Sequence, residues 1–311
     1  MAVKHSRVRR VPHSKWEQLR TEARNPATRD IDTLPISGIV DLMTRDVRHV
    51  FEAVEREKGA ISRGVQLLVD ALQSRGRIVL VGAGTSGRLG VLEAAEMPPT
   101  FGVEPRTVVA IIAGGRQAVH RAKEGVEDDR AEGDRALGRL RPRKHDVVIG
   151  VSASGVTPFV RGALARARRA GAHVLGLTCS PGSGMRGLVD LLVELDVGPE
   201  VITGSTRLKA GTATKVALNL LTTSAMIRIG KTYGNLMVDV QANSKKLRDR
   251  GTRIVSTITS LDYDDSLKLL RRAKWNVKTA IVMHERRFSY RDAEAHLRTA
   301  GGSVRRALEE A

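Results

Sequence analysis

The sequence predicts an α/β fold: a three-layer αβα sandwich with a parallel five-stranded sheet, joined to a small C-terminal helical domain. Three observations predict it. Short apolar, β-branched runs at residues 77–81, 108–113, 146–151, 173–178 and 190–197 have the composition of buried strands. The stretches between most of them span about 12 residues or more with helical character, long enough for right-handed crossovers that leave neighbouring strands parallel. From residue 254 onward the strand pattern stops, and Leu267, Leu269, Leu270, Val277, Ala280, Ile281, Ala293, Leu297 and Leu308 mark amphipathic helices. The expected divisions are a basic arm and lead-in at 1–35, an α/β domain with flanking helices at 36–245 and a helical domain at 246–311. Residues 245–253 read as a charged link, and no internal repeat is evident.

Taken in order, the first 20 residues are basic, almost free of acids and without apolar period. Ser37 precedes a helical pattern carrying Ile39, Leu42, Met43, Val47, Val50 and Val54, and a second helix covers 61–72. The first strand empties into Gly82-Ala83-Gly84-Thr85-Ser86-Gly87, where glycines allow close backbone approach and two hydroxyls sit beside the free N–H groups of a helix start. Pro98-Pro99 is expected to stop that helix. The second strand exits at Gly114-Gly115 and a helix is expected from Gln117 onward. The third strand exits at Ser152-Ala153-Ser154-Gly155-Val156-Thr157-Pro158, and Gly204-Ser205-Thr206-Arg207-Leu208-Lys209 leads into a long helix.

Composition narrows the function. The 311-residue chain has a formal net charge of +18, but its basic residues fall in separate runs and aromatics make up only 3%. Nucleic acid is therefore not expected as a partner, since neither a single basic stripe nor stacking platforms are present. No apolar stretch approaches the roughly 20 residues of a membrane span, so no membrane partner and a cytoplasmic location are expected. A single cysteine, Cys179, excludes an internal disulfide, and without clustered Cys/His ligands no metal is expected.

In a doubly wound fold ligands sit at the carboxyl ends of the strands. Thr85, Ser86, Ser152, Ser154 and Thr157 lie at two such ends, with Ser205, Thr206 and Lys209 as a third polar group. Together they describe a phosphate pocket. The Walker pattern is absent, and Gly82-x-Gly84-x-x-Gly87 lacks the acidic residue of a dinucleotide site. Glu93 and Glu96 share a helical face at i, i+3, with Glu96 near the negative end of the helix dipole, a position suited to a proton donor. Glu124 and Glu127 repeat that spacing, and for them a solvated helix face is the competing reading. His120, His145 and His173 have no evident partners, and Cys179 reads as an apolar filler.

These residues resemble the N-acetylmuramic acid 6-phosphate etherases of the sugar isomerase (SIS) domain group over nearly everything after about Thr21. The resemblance is carried by Gly82-Ala83-Gly84-Thr85-Ser86-Gly87-Arg88-Leu89-Gly90, Glu96 with Pro98-Pro99-Thr100, Glu124-Gly125-Val126-Glu127-Asp128, Ala153-Ser154-Gly155-Val156-Thr157-Pro158, Gly198-Pro199-Glu200, Gly204-Ser205-Thr206-Arg207-Leu208-Lys209-Ala210-Gly211-Thr212 and Asn235-Leu236-Met237-Val238-Asp239-Val240. It implies a cofactor-free lyase that eliminates D-lactate from a sugar 6-phosphate and adds water, with Glu96 and Glu127 as the catalytic pair, Glu124 in the substrate site and a homodimer. An unbroken helix would put Glu96 about 15 Å beyond Ser86, so either the helix starts later or the sugar meets Glu96 from another subunit, and a site at the dimer interface is expected. Where the family usually has Arg and Tyr, this chain has Val156 and Phe159, and Arg88 or Arg207 is the expected substitute cation. A non-catalytic sugar-phosphate sensor and an aldose-ketose isomerase or deaminase of the same fold are the competing functions.

Overall fold

A computed structural model describes residues 19–309, so the basic arm expected over the first 20 residues lies almost wholly outside the described residues. Three single-turn helices, Arg20–Glu22, Pro26–Thr28 and Ile31–Thr33, lead in, followed by α1 (Ile36–Asp46), α2 (Arg48–Arg56) and α3 (Lys58–Gln73). Then come β1 (Ile78–Gly82), α4 (Gly84–Phe101), β2 (Val108–Ile112), the single turn α5 (Gln117–His120), α6 (Arg130–Arg139), β3 (Val147–Val151), α7 (Pro158–Arg169), β4 (His173–Thr178) and β5 (Leu191–Glu194). The chain continues through α8 (Lys209–Arg228), α9 (Lys245–Thr259), α10 (Tyr263–Arg272), α11 (Val277–Glu285), α12 (Tyr290–Thr299) and α13 (Val304–Glu309).

The five strands are parallel in the order β2-β1-β3-β4-β5. Alternation splits their side chains between two layers, as period-2 geometry requires. Ile78, Leu80, Ile149, Leu175 and Leu177 pack with Leu68, Leu218 and Leu221 of α3 and α8. Val79, Val81, Val148 and Val174 meet Leu137, Phe159, Val160 and Leu164 of α6 and α7 on the other face. Because β1 leads to β2 on one side and has β3 on the other, the crevice between the carboxyl ends of β1 and β3 is the switch point where such sheets bind ligands. Helix α4 can start there because Gly87 has no Cβ, which would lie 2.6 Å from Ile112.

Three expectations are corrected. Pro98 and Pro99 do not stop α4, which runs on to Phe101 and ends where Gly102 adopts φ 61°. Residues 245–253 are not a link but the first part of α9, capped by the Ser244 side chain. The C-terminal helices do contain a repeat. The pair α10–α11 and the pair α12–α13 match at a spacing of 27 residues, for Tyr263, Leu270, Ala273, Val277 and Ala280 recur as Tyr290, Leu297, Ala300, Val304 and Ala307. Both turns close alike: Trp275 N–H donates to the Leu270 carbonyl, and Gly302 N–H to that of Leu297. Both turns use two positive-φ residues, Lys274-Trp275 in one and Gly301-Gly302 in the other. The polar turn residues had hidden the match. These helices share their own apolar cluster, centred on Val255, Leu270, Ile281, Leu297 and Val304.

Candidate active site

A cleft of about 300 Å³ opens at the switch point. Its floor is the first turn of α4, with Gly84, Thr85 and Ser86, and one wall is the loop after β3, with Ala153, Ser154 and Thr157. Glu124, Glu127, Arg88 and Lys123 close it, together with Thr206, Thr21 and Glu22. Its size is at the lower end for small-molecule sites. A larger groove of about 1310 Å³ follows edge strand β2, but its lining is mainly apolar and holds neither hydroxyl loop.

The amino end of α4 supplies the anion-binding potential. Its first N–H groups have no intrahelical acceptor, and Ala83 at the cap provides no side-chain acceptor either. An anion in the cleft would meet these groups and the positive end of the dipole. The amino end of α8 is closed by contrast. The Glu200 carboxylate accepts from Lys209 N–H at 3.0 Å and Ala210 N–H at 2.9 Å.

That arrangement separates the expected polar residues into two groups. Thr85, Ser86, Ser154, Thr157, Thr206, Glu124 and Glu127 line the cleft. Ser152 does not: it is buried, with its Oγ 2.7 Å from Thr157 Oγ1, and it accepts from Gly155 N–H. It shapes the loop rather than facing a ligand. Ser205 also lies off the cleft lining. Lys209 is 3% exposed and donates from Nζ to Asp46 Oδ1 at 2.9 Å, so the ammonium is held in a buried pair away from the cleft. Its sequence position beside Thr206 suggested otherwise, but a residue at the first turn of a helix turns inward or outward according to packing.

The carboxylates redistribute too. Glu93 and Glu96, expected on one face, straddle its boundary. Glu93 is 1% exposed and accepts from Thr222 Oγ1, Asn219 Nδ2 and Lys215 Nζ on α8, whereas Glu96 is exposed and lines neither the cleft nor the groove. Along α4 it stands about 15 Å from Ser86 at 1.5 Å per residue. Glu124 and Glu127 are not on a helix: α5 ends at His120, and the chain turns through Gly125 at φ 77°. Glu127 is fixed instead by its carbonyl, which accepts from Phe159 N–H at 2.9 Å at the start of α7. One chain thus brings Glu127 to the cleft and leaves Glu96 facing outward.

Sequence reasoning missed Lys123 and Glu22 as cleft residues. Lys123 adjoins Glu124, the only signal available. Of the two arginines considered, Arg88 lines the cleft while its Nε donates to the Val119 carbonyl; Arg207 is exposed and lies off it.

Comparison with known proteins decides the relationship. The chain is 47% identical over 290 residues to the N-acetylmuramic acid 6-phosphate etherase of Cutibacterium acnes, covering 93% of this chain and 95% of that one. The chain belongs to the N-acetylmuramic acid 6-phosphate etherase family. The etherase of Geobacillus thermodenitrificans is 45% identical over 293 residues, covering 94% and 99%. Residues 60–168 match the family model of the glucokinase regulatory protein N-terminal SIS domain. A phosphoheptose isomerase structure from Francisella tularensis aligns with a TM-score of 0.48 at 14% identity, over 62% of this chain and 98% of that one.

Beneath the cleft, burial pushes the Glu200 carboxyl above its ordinary 4.5, against the N–H groups of Ala210 and Lys209 and the Lys209 charge. A carboxyl that holds its proton more tightly when folded contributes stability that is complete below the unfolded value and is lost as pH rises through the folded one. The melting temperature of the native chain should therefore fall relative to Glu200→Gln as pH is raised from about 4.5 to neutrality. Calorimetry of both proteins across that range checks the sign, and parallel curves would overturn it.

Proposed function

We propose that this chain cleaves the lactyl ether of N-acetylmuramic acid 6-phosphate by elimination and rehydration. It is thus a carbon-oxygen lyase, and its product is N-acetylglucosamine 6-phosphate. The supporting observation is the cleft itself, where an uncapped helix start, hydroxyls and two cations share the lining with Glu127, whose backbone is anchored to the start of α7. The sugar phosphate's anionic group is assigned to Thr85, Ser86, Ser154, Thr157 and the α4 amino end. In the open-chain sugar the C2 proton is acidified by the C1 aldehyde. Glu127 takes that proton, the C2–C3 double bond forms as the C3–O bond breaks, and Glu96 protonates the departing lactate oxygen. Water then adds at C3 and a proton returns to C2, so the net change is consumption of one water and release of one lactate.

Glu96 reaches the chemistry in this reading from a second copy of the chain. Leu92, 44% exposed, lies one turn before Glu96 on the same face of α4. Ile36, Val40, Met43, Val47 and Phe51 form an apolar row along α1 and α2, with Ile36 82% and Phe51 63% exposed. Contiguous apolar rows of this kind mark interaction surfaces. No helix among the described residues is long and apolar enough to cross a membrane, and we assign the reaction to re-use of cell-wall sugars in the cytoplasm.

The test is incubation with N-acetylmuramic acid 6-phosphate in oxygen-18 water. Free lactate, with label at sugar C3, is expected. Tight sugar-phosphate binding without lactate would replace the enzyme by the sensor reading, and unlabelled C3 would exclude elimination.

A further inference from the structure

The formal charge of +18 has no use in the proposed reaction. Along the sequence the basic runs are scattered, but the parallel sheet gathers several of them. The adjacent strands β1, β3 and β4 all begin at the end of the sheet opposite the cleft. The connections feeding them carry Arg75, then Arg141, Arg143 and Lys144, then Arg168 at the end of α7, all exposed.

One buried carboxylate ties these connections together. Asp146 accepts from the Arg77 guanidinium and from the N–H groups of Arg77 and Arg143, while its carbonyl accepts from His173 N–H. Arg77 also donates to the Arg141 carbonyl at 3.0 Å. Among the described residues no acidic side chain pairs with Arg75, Arg141, Arg143, Lys144 or Arg168, whereas the nearby Arg166 and Arg169 share Asp134. The carboxyl ends of α3, α6 and α7 point here, each with about half a negative charge. Three such ends offset roughly −1.5 against five full positive charges, and a surplus remains. Arg75 and Arg141 also hold φ of 55° and 48°, where helix ends commonly take glycine.

We propose that this amino-end face binds the phosphodiester backbone of nucleic acid without reading sequence. Four of the five cations are guanidinium groups, whose planar fork matches phosphate. None of the exposed large apolar side chains lies in these connections, so they lack the second, inserting signal that stable membrane attachment uses. No aromatic side chain lies in these connections to stack an unpaired base, which favours duplexes over single strands.

The test is fluorescence anisotropy of the full chain with two labelled DNA duplexes of unrelated sequence, each about two helical turns long. Equal affinities for both are expected, weakening on the order of 100-fold between about 50 and 200 mM salt if four phosphates are neutralised. The variant R75Q/R143Q/K144Q/R168Q should bind at least about tenfold more weakly at low salt, with lactate release and melting temperature unchanged. Lys144→Gln alone should lower the salt slope by about one. Undiminished binding by the fourfold variant, loss of binding on deleting residues 1–18 instead, or capture by phosphatidylglycerol vesicles but not by duplex would each overturn the proposal.

Discussion

Glu96→Gln and Glu127→Gln subunits, each inactive alone, are expected to recover about a quarter of native lactate release when co-assembled. Removing a general acid or base typically costs 10²–10⁴ in rate, so each homodimer should be nearly silent. If one site takes Glu127 from one chain and Glu96 from the other, half of a random mixture is heterodimer. Each heterodimer has one site with both glutamines and one with both glutamates, so one site in four of the whole population works. A site contained within one chain predicts no recovery at all. Two affinity tags isolate the heterodimer, whose lactate release should be about half the native value because one of its two sites is intact, and the absence of activity in that fraction would remove the shared-site arrangement.

Lys209→Met is the second large effect, and it separates a structural from a binding role. The ammonium is buried against Asp46, whose Oδ2 has no hydrogen-bond partner. Taking the cation away strands a buried carboxylate, a change that typically costs about 3–5 kcal/mol and, for a chain of this size, on the order of 10 °C in melting temperature. Adding Asp46→Asn should restore much of the loss, because the uncompensated charge goes with it. A phosphate ligand would behave differently: KM would rise and the melting temperature would stay put.

The fold and the floor of the cleft were legible because they rest on local signals. Each of the five strands is a short apolar run, Thr85-Ser86 opens the helix after the first of them, and Ser154-Gly155-Val156-Thr157 is the loop after the third. What was not legible depends on which way a side chain turns. Glu93 and Glu96 are three residues apart, yet α8 draws one inward through Thr222 and Asn219 and leaves the other in solvent. Lys209 and Thr206 are equally close in sequence, but Asp46, 163 positions away, takes the lysine. Pro98-Pro99 misled because a helix can absorb prolines in its last turns when packing holds it. The C-terminal repeat escaped notice because Lys274-Trp275 and Gly301-Gly302 share a backbone shape and no chemistry.

Helix α4 spans 18 residues from the cleft to Gly102, a rod about 27 Å long. In the shared site proposed above, its first turn would hold the ligand of its own chain and the turn bearing Glu96 would serve the neighbour. On that reading, a tilt of the rod when an anion seats at one end would also move the carboxylate at the other. If the sites are shared in that way, occupancy of one centre should alter the other, and initial velocity plotted against substrate should depart from a simple hyperbola.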